Sequence, residues 1–394
     1  MAKRVAILTT VYRYLSHAQH MGDRLLIGYP HEGEWHKPDL QVVSLYVDQK
    51  PQGDQSQERA KEFGFKVYPT IAEALRQGGD TLAVDAVLII AEHGDYPRND
   101  LGQVLYPRHE FFQQCVAVFD KDKRAVPVYN DKHLSYSFDK ARWMVDQSER
   151  LKFPMLAGSS LPVTWRLPDV EIPLGAQVEE ALMVGVGGSD PMDYHALEAM
   201  QCMVERRKGG ETGIRSVQLI DGDEVWKAGE DGRWSKRLLE AALSRSDTPQ
   251  GISVTDPRPQ DLVGSGVLPK LVKNPAAYFI ERNDGLKTTL LMLNGAVKDY
   301  TFAARVAGQG IVSTQFFLSP TPNVTYSACL VSKIVEMFVT GKAPYPVQRT
   351  LIVSGMLESC LQSRHQGGKR LETPHLSARA AGYKAPARSQ HARG

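Results

Sequence analysis

The 394-residue chain is longer than one ordinary hydrophobic core supports, so its length predicts two domains. Its 42% apolar and 23% charged residues are typical of a soluble globular protein. The 47 Lys and Arg residues nearly balance the 45 Asp and Glu residues, and the net charge of +2 gives no strong field for nucleic acid or an anionic membrane. The expected partner is therefore a small molecule.

The four cysteines lie far apart and form no C-x-x-C pair. This spacing favours buried, reduced thiols over a disulfide or a zinc site. The first apolar run, residues 5–8, is too short for a signal sequence or a membrane span. These features predict a cytoplasmic protein.

Apolar runs at 5–8, 42–47, 84–90 and 125–129 alternate with helical patterns, which predicts a parallel sheet covered on both faces. The run at 125–129 leads into the polar motif Asp131-Lys132-His133, and the run at 84–90 leads into Glu92-His93. Open sheets of this kind bind ligands beyond the carboxyl ends of their strands. Both motifs are therefore expected at an active site, although Lys132 could instead form an ion pair with a neighbouring carboxylate.

The turn after the first strand, residues 9–14, lacks the G-x-G-x-x-G pattern that lets a backbone approach a pyrophosphate. Thr9, Val11 and Tyr14 take the places of the glycines. Arg13 in this turn could meet a phosphate through its guanidinium group. At the end of the second strand, Asp48 could accept hydrogen bonds from a ribose, or it could be a helix cap or turn residue.

In the second half, the predicted strand at 178–186 precedes Asp190, Asp193 and His195, which crowd at a helix start. Either aspartate could be the N-cap of that helix. Strands at 278–281, 288–293 and 300–306 predict an open antiparallel sheet, covered by helices at 323–339 and 347–362. An exposed sheet face would favour pairing with another copy of the chain.

Together, these motifs resemble the Gfo/Idh/MocA family of NAD(P)-dependent sugar and polyol dehydrogenases, up to about residue 374. The resemblance rests on the order and spacing of the segment 67–75, the strand at 84–90, Asp131-Lys132-His133-Leu134, Asp284-Gly285 and the segment 341–344. The chain resembles a divergent member, since the glycine fingerprint is missing. In addition, Asp131 and His133 replace the Glu and Pro of that family's lysine motif.

The resemblance implies an α/β fold with a Rossmann-like parallel sheet followed by an α+β domain with an open, mostly antiparallel sheet. Its implied divisions are a nucleotide-binding domain at 1–158, a substrate and oligomerisation domain at 159–374, and a basic tail at 375–394. The tail is poor in apolar residues and is predicted to be disordered. A homodimer or homotetramer through the second sheet is expected.

The implied activity is oxidation or reduction of a sugar, polyol or glycoside hydroxyl with NAD or NADP. Lys132 and His195 would act as the acid/base pair, with Asp193 orienting His195, although His195 could be purely structural. The resemblance also implies which residues contact the cofactor and which contact the substrate. For the cofactor they are Thr9, Thr10, Tyr12, Arg13, Asp48, Glu92, His93 and Lys132, and for the substrate they are His133, Trp165, Arg166 and Asp190.

Two alternatives remain open. One is a metal-dependent, NAD-independent carbohydrate-active enzyme, in which His93, Asp190 and His195 bind a divalent metal ion and the pair His17 and His20 lies nearby on a helix. No spacing in the sequence enforces such a site. The other is a non-catalytic sugar-binding homologue, in which the side chains of residues 9–14 fill the cofactor cleft.

Overall fold

The fold is described from a computed structural model that covers residues 2–188, 190–248, 261–377, 383 and 385–393. Within these ranges, every helix is too short or too polar to cross a lipid bilayer. The strands of the described chain form two large sheets and a small hairpin.

The first half of the chain alternates strands and helices. In chain order the elements are β1 (Lys3–Thr9), α1 (His17–Ile27), β2 (Tyr29–His31), β3 (Glu34–His36), β4 (Leu40–Val47), α2 (Ser56–Phe63), β5 (Lys66–Tyr68), α3 (Ile71–Arg76), β6 (Ala86–Ile90), α4 (Arg108–Asp122), β7 (Val128–Asp131), α5 (Phe138–Leu151) and β8 (Met155–Gly158).

Six of these strands form a parallel sheet in the order β5-β4-β1-β6-β7-β8, while β2 and β3 form the hairpin. From β1, the next strands β4 and β5 extend the sheet in one direction. The later strands β6, β7 and β8 extend it in the other direction. A ligand crevice in such a sheet lies at the point where the order reverses, between β1 and β6. All five residues of β6 are buried, as expected for a central parallel strand covered on both faces.

The strand predicted at 125–129 begins later and extends further than the sequence pattern indicates. β7 pairs with β6 from Val128 onward, and its pairing with β8 continues to Asp131. Lys132 then leaves the strand with a left-handed backbone (φ 59°), while its amide donates to the carbonyl of Gly158 at 3.1 Å. The structure thus places Lys132 directly at the carboxyl edge of the sheet.

The second half of the chain supplies a larger sheet and most of the helices that cover it. The helix at 326–340 instead packs against the first domain, so the prediction that a helix at 323–339 covers the second sheet is wrong. In chain order the elements are the 3-10 helix η1 (Leu161–Val163), β9 (Arg166–Leu167), β10 (Val178–Gly185), α6 (Asp190–Val204), β11 (Ile214–Asp221), α7 (Asp223–Glu230), α8 (Lys236–Leu243), α9 (Leu268–Leu271), β12 (Ala276–Arg282), β13 (Lys287–Met292), β14 (Tyr300–Val306), β15 (Gly310–Phe316), α10 (Tyr326–Thr340), α11 (Gln348–His365) and β16 (Leu371–Glu372).

These strands form an eight-stranded sheet in the order β16-β11-β12-β13-β10-β14-β15-β9. Every pairing is antiparallel except β10 with β13. The predicted fold class, a Rossmann-like parallel sheet plus an α+β domain with a mostly antiparallel sheet, is confirmed.

The second sheet is covered unequally on its two faces. α6 and α11 pack on one face as part of a continuous core with the first domain. On the other face, Leu182 and Val184 of β10 pack against Leu238 and Leu239 of α8. The rest of that face, around Glu180, is open and polar. The sheet is therefore open over only part of one face, and pairing of two copies there stays a prediction.

Parts of the tail at 375–394 are packed, which differs from the predicted disorder. Tyr383 is buried and donates a hydrogen bond to Glu205, a buried carboxylate that also pairs with Arg349. Further on, Nε2 of His391 lies 2.6 Å from Oδ1 of Asp169. The low apolar content was misleading because polar contacts hold these residues. Residues 378–382, 384 and 394 lie outside the described part of the chain.

The tail contact gives a stability prediction. Tyr383→Ala should lower the free energy of unfolding by about 3 kcal/mol, because it removes a buried ring and one partner of Glu205. Tyr14, which is 57% exposed, provides the matched control, and Tyr14→Ala should change it by less than about 0.5 kcal/mol. Urea unfolding of both variants measures the difference. Equal effects would show that the tail does not contribute to the core.

Candidate functional site

A pocket of about 420 Å³ lies between the carboxyl edge of the first sheet and the second domain. Its lining residues come from both halves of the chain. They are His17, His20, Met21, Glu92, His93, Tyr106, Asp131, Lys132, Ser159, Ser160, Leu161, Pro191, Met192, His195, Tyr300, Leu318, Tyr326, Ser327 and Leu330. The volume is that of a small-molecule site.

Lys132 belongs to a buried network of charges at the floor of this pocket. Its Nζ lies 3.5 Å from Oε1 of Glu92, and Oε2 of the same carboxylate accepts a hydrogen bond from the fully buried Arg108. Burial raises the pKa of Glu92, but the charges of Lys132 and Arg108 outweigh this effect and hold the pKa below its usual range. The ion pair considered for Lys132 therefore exists, and Lys132 also lines the pocket.

Behind this network, His133 and Asp190 pair with each other away from the pocket. Nε2 of His133 lies 3.3 Å from Oδ2 of Asp190 and 3.2 Å from Nη1 of Arg108. Gln103 donates to the other oxygen of Asp190 at 2.9 Å. Burial lowers the pKa of His133 and raises that of Asp190 to about 6. Neither side chain lines the pocket, so the structure does not place them as the expected substrate contacts.

His195 lies on α6 and lines the pocket opposite the first sheet. Burial, with the nearby charge of Lys132, lowers the pKa of His195, so its ring is neutral near pH 7. Asp193 does not orient it as expected, because its carboxylate accepts from the Tyr278 hydroxyl and from the Gly188 amide at 2.7 Å. Within the described residues, Nδ1 of His195 has no hydrogen-bond partner.

Three further imidazoles lie together on the opposite wall. The ring of His17 lies 5.1 Å from that of His93 and 6.1 Å from that of His20, centroid to centroid. Nδ1 of His17 lies 2.7 Å from Oδ2 of Asp131. Burial, with the charge of His17, lowers the pKa of both His20 and His93 to about 4. His20 and His93 are therefore neutral at physiological pH.

The turn between β1 and α1 is folded inward. The hydroxyl of Thr9 donates to the carbonyls of Val11 and Ile90, and that of Thr10 donates to the carbonyl of Glu92. The hydroxyl of Tyr12 donates to Asp23 at 2.8 Å. The hydroxyl groups of Thr9, Thr10 and Tyr12, which were predicted to contact the cofactor, thus form hydrogen bonds within the protein.

The other two predicted cofactor contacts near this turn are exposed. Asp48 accepts hydrogen bonds from the hydroxyls of Tyr46 and Tyr96 at 2.8 and 2.6 Å. Arg13 pairs through its backbone with Asp54. Neither residue lines the pocket. Each carboxylate oxygen of Asp48 accepts one hydrogen bond and keeps acceptor capacity, so its contact with a ribose stays a prediction.

Trp165 and Arg166 do not line the pocket either. The guanidinium group of Arg166 donates to the carbonyls of Pro162 and Thr164 at 2.9 and 2.7 Å. It also stacks over the ring of Phe316, 4.0 Å from its centroid. Trp165 packs beside Phe317, with 6.2 Å between ring centroids. The structure therefore shows structural contacts for both residues.

Several pocket residues were missed in the sequence. Tyr106, which lines the pocket, lies in the long loop after Glu92, and Arg108 of the network behind the pocket begins α4 directly after that loop. The position of the loop at the sheet edge was the available signal. Ser159 and Ser160 follow β8 in the same way. Tyr300 and the apolar wall from α10 gave no local signal, because their place in the pocket depends on how the two domains pack.

In the part of the chain that the structure describes, no three histidine, cysteine, aspartate or glutamate side chains already form a group that could hold a metal ion. The three residues of the alternative metal-ligand set do not meet. His93 and His195 line the pocket, whereas Asp190 lies behind the pocket wall and contacts His133.

No protein-family model matches the sequence, and no curated protein matches it in a sequence comparison. Solved structures do match its fold. The myo-inositol dehydrogenase from Lactobacillus casei, in complex with NAD(H) and myo-inositol, is 11% identical with a TM-score of 0.57, over 94% of this chain and 97% of that one. GenD2 from gentamicin A biosynthesis, in complex with NAD, is 15% identical with a TM-score of 0.55 over the same shares.

A probable dehydrogenase from Thermotoga maritima is 12% identical with a TM-score of 0.56, over 95% of this chain and 99% of that one. At these identities the similarity shows the fold. The expected architecture is therefore confirmed along nearly the whole chain.

The buried network gives a second prediction. Arg108→Met should lower the free energy of unfolding by about 3 to 5 kcal/mol, because it removes a partner of the buried carboxylate of Glu92. The double variant Arg108→Met with Glu92→Gln should recover part of this loss, since no excess negative charge is then buried. Chemical denaturation of both variants measures the effect. A double variant less stable than the single one would contradict the role of Arg108 as a counter-charge.

Proposed function

We propose that the protein is an oxidoreductase that acts on a hydroxyl group of a small sugar, polyol or glycoside with NAD or NADP. The observation that carries this proposal is the meeting of Lys132 and His195 in one pocket at the carboxyl edge of the first sheet. The same fold in inositol dehydrogenase binds NAD(H) and myo-inositol, which supports this choice of ligands.

The residues around the pocket fit a nicotinamide nucleotide at the end beside Lys132. A buried polar atom there, Nε2 of His93, has no hydrogen-bond partner among the described residues, as expected where a polar ligand binds. Phosphate groups would lie at the first turn of α1, where the Ser16 side chain already accepts from the amide of Gln19 at 3.3 Å. The bound cofactor would supply the hydride acceptor.

At the other end of the cleft the chain departs from a dinucleotide site with a glycine turn. The ring of Tyr12 lies against α1, so close that a Cβ added at Gly22 would meet its hydroxyl at 2.6 Å. The side chains of Thr9, Thr10 and Tyr12 are engaged. Their three carbonyls and the amide of Thr10 also form hydrogen bonds within the protein, so the expected cofactor contacts would require this turn to rearrange. This supports a cofactor held mainly at its nicotinamide end.

Within this proposal, Lys132 and His195 move the proton of the reacting hydroxyl. Lys132 is held by Glu92 and can donate a hydrogen bond to the substrate oxygen. His195 is neutral, so it can accept the proton as the hydroxyl is oxidised. Met192, Leu318 and Leu330 line the pocket with apolar side chains, which would favour the exclusion of water once a substrate is bound.

The C-terminal sheet offers a surface for pairing of two copies of the chain. We propose pairing of two copies through its partly open face, where Glu180, Glu281, Lys287 and Arg370 line a groove. Light scattering in solution measures this pairing.

Lys132→Met should reduce turnover by about 100-fold or more, because the substrate oxygen loses its charged hydrogen-bond donor. Lys66→Met is the matched control, since Lys66 is exposed on the outermost strand of the same sheet. Absorbance of NADH, with a panel of inositols, sugars and glycosides, measures turnover, and calorimetry measures binding of NAD and NADP. Absence of both binding and turnover at millimolar cofactor would contradict the proposal.

A further inference from the structure

We propose that Glu198 is a positioning residue of the pocket, because it joins the helix that carries His195 to the end of the strand beside Lys132. Glu198 lies behind the pocket, on α6 of the second domain, and the strand it reaches is β8 of the first sheet. The roles of His195 and Lys132 rest on the proposed function. The new element is the contact that sets these two side chains opposite each other.

The carboxylate of Glu198 crosses from α6 to the carboxyl end of β8. Its Oε2 accepts a hydrogen bond from the amide of Ser159 at 2.7 Å. Its Oε1 accepts from the hydroxyl of Thr350 at 3.3 Å, and the same hydroxyl donates to the carbonyl of Ala157 in β8 at 2.9 Å. One buried side chain therefore connects α6, β8 and α11.

The end of β8 has room for this carboxylate because residue 158 is a glycine. A Cβ added at Gly158 would collide with Oε1 of Glu198, and the φ of 126° at this position favours glycine on its own account. The carbonyl of Gly158 also accepts from the amide of Lys132 at 3.1 Å. The same residue thus touches both Glu198 and the backbone that presents Lys132.

One helical turn transmits the position of Glu198 to His195. The two residues are three positions apart on α6, so their side chains lie on the same side of the helix. Because the backbone of a helix is held by its own hydrogen bonds, fixing Glu198 at Ser159 also fixes His195. Displacement of Glu198 would therefore move His195 relative to Lys132.

The carboxylate is buried at a cost in stability. Glu198 is fully buried, and burial raises its pKa to about 7 against the opposing effects of the hydrogen bonds from Ser159 and the charge of Arg349. Arg349 is itself paired with Glu205. A buried carboxylate whose counter-charge is engaged elsewhere is unfavourable, so packing alone does not explain an acid at this position. The hydrogen bond to Ser159 does explain it, since an apolar side chain could not accept from that amide.

The pKa of His195 reports its position without NAD or substrate. Burial lowers this pKa most, followed by the charges of Lys132 and His17, while Glu92 raises it and His133 lowers it by less. If α6 moves away from the sheet edge, His195 loses part of its burial and part of the repulsion by Lys132. Its pKa then rises.

Two substitutions separate the hydrogen bond of Glu198 from its charge. Glu198→Met fills nearly the same space but cannot accept from Ser159, whereas Glu198→Gln loses the charge and keeps an acceptor oxygen. Loss of the charge alone lowers the pKa of His195, because removing a nearby carboxylate disfavours the imidazolium form. A rise in Glu198→Met but not in Glu198→Gln therefore identifies the positioning contact.

Histidine NMR titration of the full chain measures this pKa, with the His195 signal assigned from its loss in His195→Gln. In Glu198→Met the titration midpoint of His195 should rise by at least about half a pH unit, whereas in Glu198→Gln it should stay at or below the wild-type value. Gly158→Ala keeps Glu198 but adds a methyl group against it, so the midpoint should rise there too. Gly64→Ala is the matched control, since Gly64 also has a positive φ and no described atom lies within 4 Å of an added Cβ.

Turnover gives a second readout. Glu198→Met should lower kcat by about 10- to 100-fold, because a displacement of about 1 Å between catalytic groups is enough for a loss of this size. Glu198→Gln should restore most of the wild-type kcat. Calorimetry should show unchanged binding of NAD in both variants, since Glu198 lies behind the pocket.

An unchanged midpoint for His195 in folded Glu198→Met, or an equal rise in Glu198→Gln, would overturn the proposal. If Glu198→Met does not fold, an unchanged midpoint in Gly158→Ala overturns it instead. Wild-type protein that neither binds NAD nor turns over a substrate would contradict only the dehydrogenase proposal, because the titration of His195 uses neither.

Discussion

The buried carboxylate of Glu92 is the interaction on which the pocket depends. It follows β6, and it joins Lys132 after β7 to Arg108 at the start of α4. A carboxylate in an apolar core is unfavourable unless it is paired, so Glu92 requires both cations in place. Because Arg108 also reaches His133, which contacts Asp190 of α6, the same network connects the first sheet to the second domain.

The backbone at the sheet edge adopts an unusual conformation on both sides of the Glu92–Lys132 ion pair. His93 and Lys132 both adopt left-handed conformations, with φ of 69° and 59°. Such conformations are unfavourable for residues other than glycine and persist where the surroundings determine them, often at functional sites. In both cases the turn directs the side chain into the pocket immediately after a central strand ends. The strain is thus located where the chemistry is proposed.

The two walls of the pocket have different characters. The first domain contributes imidazoles, carboxylates and Lys132, whereas the second contributes His195 and an apolar surface that includes Met192, Leu318 and Leu330. In place of a glycine turn, the hydroxyls of Thr9 and Thr10 tie the segment before α1 to the carbonyls of Ile90 and Glu92. His17 and His20 follow it on the helix. Hydroxyl oxidation is compatible with this arrangement, because it needs a neutral imidazole beside a fixed cation.

The sequence alone was sufficient to predict both sheets and the position of Lys132, because apolar runs and their alternation with helices report which segments are buried. It could not predict that Arg108 pairs with Glu92, that Asp193 accepts a hydrogen bond from Tyr278, or that Tyr383 packs in the core. Those contacts join residues up to 178 positions apart. Periodicity encodes burial, whereas the direction and partner of a polar side chain are decided only when distant elements pack together.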